Sequence, residues 1–342
     1  VLQRRSEIGF PYILFSDNVN NGAPDVYKDL KLKIHASNMC SEIALPSSPE
    51  ETFTCVLSSI NVAKWDEIES TDAIETLVMF LDTVVTEFIN KTAGKPYFAR
   101  AHKFAVRHRA LGAGILGWHS LLQSKMMAFE GTEAAKLNLH IAKTFKARTY
   151  AASAELAGMF GEPELLKGYG RRNTTLMAIA PTKSSSFILG QVSQSIEPEF
   201  SNCYVKDLAK MKVTIKNPFL LKLLQEKGQD KPEVWDQIRN NDGSVQKLDV
   251  LTDEEKEVFK TFSEINPEAI ITQAATRQTY IDQAQSINLM LDPDTPVKEI
   301  NALYLTAWRL GIKSLYYSFS MSAAQSLTRK QVMTEGCAAC EA

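Results

Sequence analysis

Apolar and polar positions along this chain follow two periods. Short apolar or alternating runs at residues 12–16, 34–45, 175–180, 286–291 and 313–320 read as strands. Longer stretches at 72–92, 134–159, 206–227, 253–262, 268–282 and 297–311 space their apolar residues as a helix face does. The last of these follows Asp292-Pro293-Asp294-Thr295-Pro296, which offers a capping side chain and a proline for the first turn. Strands alternating with helices predict an α/β architecture with a mostly parallel sheet. Residues 228–249 are polar and contain Asn240-Asn241-Asp242-Gly243, so they read as a surface excursion. Beyond residue 321 the periodicity fades, and the end of the chain reads as a mobile tail.

Composition narrows the function classes. With 38 basic and 40 acidic residues the net charge is −2, so no global field draws the chain to nucleic acid or to an acidic membrane surface. No apolar run reaches the roughly 18–20 residues of a bilayer span. The first residues, Val1-Leu2-Gln3-Arg4-Arg5-Ser6-Glu7, lack a secretory pattern, and they run directly into Phe10-Pro11-Tyr12-Ile13 as if the chain were entered partway through a domain. Five cysteines, two of them close together at the end, do not make a disulfide framework; reduced thiols in a cytoplasmic protein are the better reading.

Candidate chemistry begins at Asn38-Met39-Cys40-Ser41-Glu42. On a strand, positions i, i+2 and i+4 share a face, so an amide, a thiol and a carboxylate would meet at one surface. The bland alternative is a buried structural cysteine with incidental polar neighbours; against it, three polar groups on one face are costly to bury without a use. Cys55 is either a small core residue or half of a redox pair near Cys40, because a two-electron thiol reductant needs two sulfurs able to bridge. Cys203 reads as structural. Thr182-Lys183-Ser184-Ser185-Ser186, a hydroxyl-rich turn from a strand into a helix start, suits a phosphate group or serves as an ordinary cap. Tyr316 and Tyr317 would point to opposite faces of a regular strand; a joint function requires their rings to stack. Cys337-Ala338-Ala339-Cys340 has no second ligand pair for zinc and fits an exposed exchange dithiol. No metal site is expected.

Taken in order, Asn-x-Cys-x-Glu, Pro181-Thr182 with Ser184-Ser185, Ser195-Ile196-Glu197-Pro198, Tyr316-Tyr317 and the terminal dithiol resemble the C-terminal part of the large, catalytic subunit of an aerobic class I ribonucleotide reductase. The resemblance implies the C-terminal half of a ten-stranded α/β barrel over residues 1–320, with Cys40 on a central finger loop, and a redox-active tail over residues 321–342. It implies that Cys40 becomes a thiyl radical that takes the 3′ hydrogen of a ribonucleoside diphosphate. Glu42 would act as base on the 3′ hydroxyl, and Asn38 would hydrogen-bond the sugar. Cys55 would supply one reducing thiol. Thr182, Ser184 and Ser185 would hold the diphosphate, and Tyr316 and Tyr317 would relay the radical. Cys337 and Cys340 would re-reduce the internal disulfide and be reduced in turn by thioredoxin or glutaredoxin.

Further implications concern partners. No cofactor is expected in this chain; the radical would come from the metal–tyrosyl cofactor of a small subunit, to whose tail the helix at 297–312 would offer Ile300, Leu303, Tyr304 and Ala307 unless that stripe faces the core. An N-terminal half of the large subunit, either a second polypeptide of a split subunit or the part from which this chain is an excised fragment, would supply the second redox cysteine, the regulatory nucleotide sites and the remaining strands. The chain alone would then complete no turnover. Two rivals predict otherwise. A thiol–disulfide exchange protein would use Cys337 and Cys340 alone, and a non-catalytic remnant would only bind the small subunit.

Overall fold

A computed structural model describes residues 1–208, 211–292 and 295–320 of the chain. Cys337 and Cys340 lie outside the described residues. Eight short strands occur among those described: β1 (Ile13–Leu14), β2 (Leu57–Asn61), β3 (Gly112–Leu116), β4 (Cys203–Leu208), β5 (Met211–Lys216), β6 (Leu289–Leu291), β7 (Ser314–Leu315) and β8 (Ser318–Ser320).

A parallel sheet runs across the molecule. β2 pairs in parallel with β3 from Leu57↔Gly112 to Asn61↔Leu116. The segment at 175–180 continues it through parallel bridges Ala113↔Met177 and Ile179↔Gln285, and β6 pairs in parallel with β8. β1 closes on β7 antiparallel, with Ile13 opposite Leu315. β3 is buried throughout whereas β2 is half-buried and, among the described residues, pairs with β3 alone. The sheet is thus open at β2, an unusual state for parallel strands, which are normally covered on both faces and flanked.

Alternation along 175–180 divides the core. Met177 and Ile179 join Ile115, Ile287 and Leu289 in the larger cluster, against helices Ala73–Thr92, Thr132–Phe160, Pro267–Gln278 and Val297–Arg309. Ala178 and Ala284 belong to a second cluster with Ile34, Ile43, Ala44 and Leu45. On this second face small residues let the backbones approach. A Cβ on Gly112 would lie 3.0 Å from that of Ala178, and one on Gly114 would run into the main-chain oxygen of Ala178.

The helices at 72–92 and 134–159 lie where periodicity puts them; those read at 253–262 and 268–282 are shorter, Asp253–Val258 and Pro267–Gln278. Ile300, Leu303, Tyr304 and Ala307 are buried, so that stripe faces the core, and Pro296 precedes the helix instead of entering its first turn. Other readings need correction. Residues 34–45 form no strand; side chains take up several of their main-chain groups, Asn20 at Ile34, Asn38 at Ile43 and Gln283 at Ala44. At 206–227 a hairpin of β4 and β5 precedes a helix, Pro218–Glu226, because Val213 and Ile215 alternate as a strand requires. Residues 228–249 hold a helix, Pro232–Asn240, and Trp235, Ile238, Val245 and Leu248 build a separate small core with Cys203. Cys203 is buried there, as a structural cysteine should be.

Candidate active site

The Asn38–Glu42 segment is a turn, so the reason its polar groups converge differs from strand alternation. Ser41 N–H donates to the Asn38 carbonyl at 3.1 Å, and Ser41 sits at φ 66, in the left-handed region. This fold-back brings Asn38 and Glu42 together directly: Asn38 Nδ2 donates to Glu42 Oε1 at 3.0 Å, and Ile43 N–H donates to Asn38 Oδ1 at 3.1 Å. Strands from the far end of the chain anchor the turn. Ser286 Oγ lies 2.5 Å from the Cys40 carbonyl and 3.1 Å from Glu42 Oε2, Ser314 Oγ donates to the Ser41 carbonyl at 2.8 Å, and Ala284 N–H donates to the Glu42 carbonyl at 2.9 Å. These bonds lay the loop across the small-residue face of the sheet.

Its electrostatics follow from burial. Glu42 is only 2% exposed, and desolvation raises its carboxyl above the usual range against the lowering pull of its hydrogen-bond donors. Cys40 is half-buried and forms no disulfide among the described residues. Cys55, just before β2, is exposed to water, yet protein surrounds it on enough sides for desolvation to push its thiol up to about 12, with the Glu42 charge adding to the rise.

The rings of Tyr316 and Tyr317 do meet, tilted and not stacked, which a continuous strand would forbid. The strand read at 313–320 breaks between β7 and β8. Tyr316 N–H donates to the Ile287 carbonyl at 2.8 Å, but Tyr317 N–H takes the side-chain oxygen of Asn288, at 2.9 Å. This substitution of a side chain for a ladder acceptor releases the alternation, and the two rings lie 4.5 Å apart at 59°. Tyr12, absent from the sequence reading, completes the group; its ring is 4.6 Å from that of Tyr316 and 5.0 Å from that of Tyr317. The Tyr316 phenol is held above its ordinary range by burial, then by negative charge at Cys40 and other groups, and by a hydrogen bond with the Cys40 side chain. Tyrosines and thiol are therefore in continuous contact.

The hydroxyl turn reaches the same place. Thr182 sits at φ 46, its Oγ1 accepts from Ser195 N–H at 2.8 Å, and a single helical turn, Ser185–Ile188, follows. Ser184 and Ser185 are exposed. Lys183 Nζ lies 5.5 Å from the centroid of the Tyr317 ring. Glu197, from the Ser-Ile-Glu-Pro run, is 3% exposed; burial pushes it up to about 7, the Lys183 charge pulls against that, and Asn288 Nδ2 donates to its Oε1. Ser286, Asn288 and Tyr12 were not singled out from sequence. The first two had a signal: polar residues alternating with Ile287 and Leu289 along one strand face.

Among the described residues no group of three or more His, Cys, Asp or Glu side chains could hold a metal ion, and no helix is long and apolar enough to cross a membrane.

Comparison with known proteins places this geometry. The family model for the ribonucleotide reductase barrel domain matches residues 1–165 and 163–318. The ribonucleoside-diphosphate reductase large subunit of Invertebrate iridescent virus 6 is 42% identical over 295 residues, covering 85% of this chain and 31% of the relative. That of Dictyostelium discoideum is 32% identical over 370 residues, covering 96% of this chain and 42% of the relative. Among solved structures, the Actinobacillus ureae class Id ribonucleotide reductase alpha subunit superposes with a TM-score of 0.90 at 60% identity, covering 94% of this chain and 60% of that one. The chain belongs to the ribonucleotide reductase family and carries its α/β barrel domain. It spans about half the length of the curated relatives it matches.

Proposed function

We propose that this chain supplies the thiyl-radical half of a ribonucleoside-diphosphate reductase large subunit, and that it works only together with an N-terminal half, joined to it or separate, and a small, radical-generating subunit. The observation that carries the proposal is the contact series from Tyr317 through Tyr316 to Cys40, with the Asn38–Glu42 pair closed over the same turn.

Each group suits its step. A radical arriving at Tyr316 takes the hydrogen of the Cys40 thiol, leaving a sulfur-centred radical that removes the 3′ hydrogen of the ribose. Glu42, with its raised pKa, accepts the 3′-hydroxyl proton better than an ordinary carboxylate would, and Asn38 holds both Glu42 and the sugar. Loss of the 2′ hydroxyl as water needs a proton and, in all, two electrons. Cys55, kept as a thiol by its raised pKa, donates from this chain, and a second cysteine from the N-terminal half completes the disulfide. Thr182, Ser184 and Ser185 receive the diphosphate beside Lys183. Cys337 and Cys340 restore the dithiol and are reduced by thioredoxin or glutaredoxin. The radical originates outside this chain, in the metal–tyrosyl cofactor of the small subunit. The open edge of β2 is where the N-terminal half adds its strands to close the barrel.

The test mixes this chain with an N-terminal half and a small subunit and measures deoxyribonucleoside diphosphate formation. Activity that disappears with Cys40→Ser supports the proposal. An inactive mixture, or an equally active Cys40→Ser, sinks it; Cys40→Ser activity that depends on Cys337 and Cys340 would instead mark a thiol-exchange protein.

A further inference from the structure

Arg277 lies near the end of the helix Pro267–Gln278 and is 2% exposed. Its Nη1 donates to Asn138 Oδ1 at 2.6 Å and its Nε to Gln285 Oε1 at 3.1 Å. Both acceptors are neutral amides. Arg109 and Arg171, buried likewise, are paired with the carboxylates of Asp82 and Asp25, whereas among the described residues no carboxylate pairs with Arg277. Burial pulls its pKa down to about 9, which leaves it charged at neutral pH. A buried charge that faces no opposite charge is costly, and only two of the nitrogens of this one donate to a described residue.

The guanidinium borders an internal cavity of about 10 Å³, the room of one small sphere. Ile115, Ile141, Phe145, Met177 and Ile179 form most of its wall, between the sheet and the helix Thr132–Phe160. Trp118 and Asn138 are the other polar side chains of the lining. The indole N–H of Trp118 is taken by Gln273 Oε1 at 2.8 Å, and Asn138 Nδ2 donates to the Gln273 carbonyl at 3.0 Å. A guest therefore meets Arg277 and hydrocarbon. A water molecule would also need acceptors for its own protons, and the side-chain oxygen in the wall, Asn138 Oδ1, already takes a proton from Arg277. A monatomic anion needs donors alone, and it supplies the missing charge.

We infer that Arg277 and this cavity form a buried halide site, in which chloride is the counter-charge of the guanidinium. The volume excludes phosphate and carboxylates. The inference does not depend on the radical chemistry, although the site lies close to it: Gln285 adjoins Ser286, whose hydroxyl anchors the Cys40 turn. A filled site holds Gln285 through Arg277 and so steadies the segment that carries Ser286.

The test uses the large subunit formed by this chain and its N-terminal half, joined or separate. It is melted in sodium chloride, sodium bromide and sodium gluconate at equal ionic strength and pH. Gluconate is too large for the cavity and gives the salt background. The rise in melting temperature from gluconate to either halide is expected to saturate, and to be about 2–5 °C larger in wild type than in Arg277→Met. An equal rise in the two proteins, or none in wild type, overturns the inference. Should the variant fail to fold, crystals of the wild-type subunit grown in bromide decide. An anomalous peak within hydrogen-bond distance of the Arg277 guanidinium is expected, and a cavity that holds water or no bromide overturns the site.

Discussion

Asn288 gives its side-chain oxygen to the main-chain N–H of Tyr317 at 2.9 Å, where a regular strand would present a carbonyl. The same amide donates to the buried Glu197. One residue thus breaks a strand, turns two neighbouring tyrosines to the same side and ties them to an ionisable group.

Replacing Asn288 with alanine leaves the Tyr317 N–H and Glu197 Oε1 without that partner. We expect Asn288→Ala to lower stability by roughly 2–4 kcal/mol in urea unfolding, from two lost bonds to buried groups. Deoxynucleotide formation by the assembled enzyme should fall with it, while Asn288→Asp, which keeps the acceptor for Tyr317, should preserve more of the ring contact. Equal stability of wild type and alanine variant counts against this account.

Glu42→Gln preserves the contacts of the turn, since its amide can accept from Asn38 and donate to Ser286, but removes the base. Activity should drop by roughly 10²–10⁴-fold with the melting temperature nearly unchanged. Because burial raises the Glu42 pKa, the acid limb of the wild-type kcat profile should lie above the ordinary carboxylate range. An acid limb at or below that range would show that another group limits the rate.

Glu197 makes stability depend on pH with a definite sign. Its carboxyl keeps its proton to about 7 in the folded chain, against 4.5 ordinarily. Between those values the folded state binds more protons than the unfolded state, so stability falls as pH rises from the lower value to the higher. Glu197→Gln should match wild type below pH 4.5 and exceed it at pH 8 by up to roughly 3 kcal/mol. Unfolding curves at the two pH values check this, and a variant less stable at pH 8 would contradict it.

Gly114→Ala would drive a methyl group into the Ala178 carbonyl oxygen, a main-chain atom fixed in the sheet. A loss of roughly 2–3 kcal/mol or more is expected, together with loss of the site, because the Cys40 loop lies on that face. A thermal melt of the variant within a degree of wild type would rule out so close an approach.

The long helices were legible because their apolar stripes face a core on one side only. β3 was not: Gly112 and Gly114 carry no hydrophobic signal, and a strand buried on both faces shows no alternation. The hairpin of β4 and β5 was hidden because Val213 and Ile215 run on into the apolar face of the following helix. At the site, Asn38 and Glu42 do meet, but for a reason other than alternation; a turn at Ser41, and not a strand, brings them together. Tyr12 left no trace in local spacing, since its partnership with Tyr316 depends on pairing across the whole chain. The resemblance to a family gave the fold and the candidate residues; only the three-dimensional contacts show what holds them.

The bond from Ser286 to the Cys40 carbonyl joins residues 246 apart, that from Ser314 to Ser41 spans 273, and Arg5 reaches Tyr304 across 299. Contacts of such high sequence separation are the slowest to form, because the loop entropy they cost must be met before they reward it. Cys40 therefore takes up its reactive setting only after β6, β7 and the chain between them are in place. A nascent or partly folded polypeptide carries the same sulfur without the neighbours that the proposed radical chemistry needs, so on that proposal the order of assembly guards against misdirected oxidation.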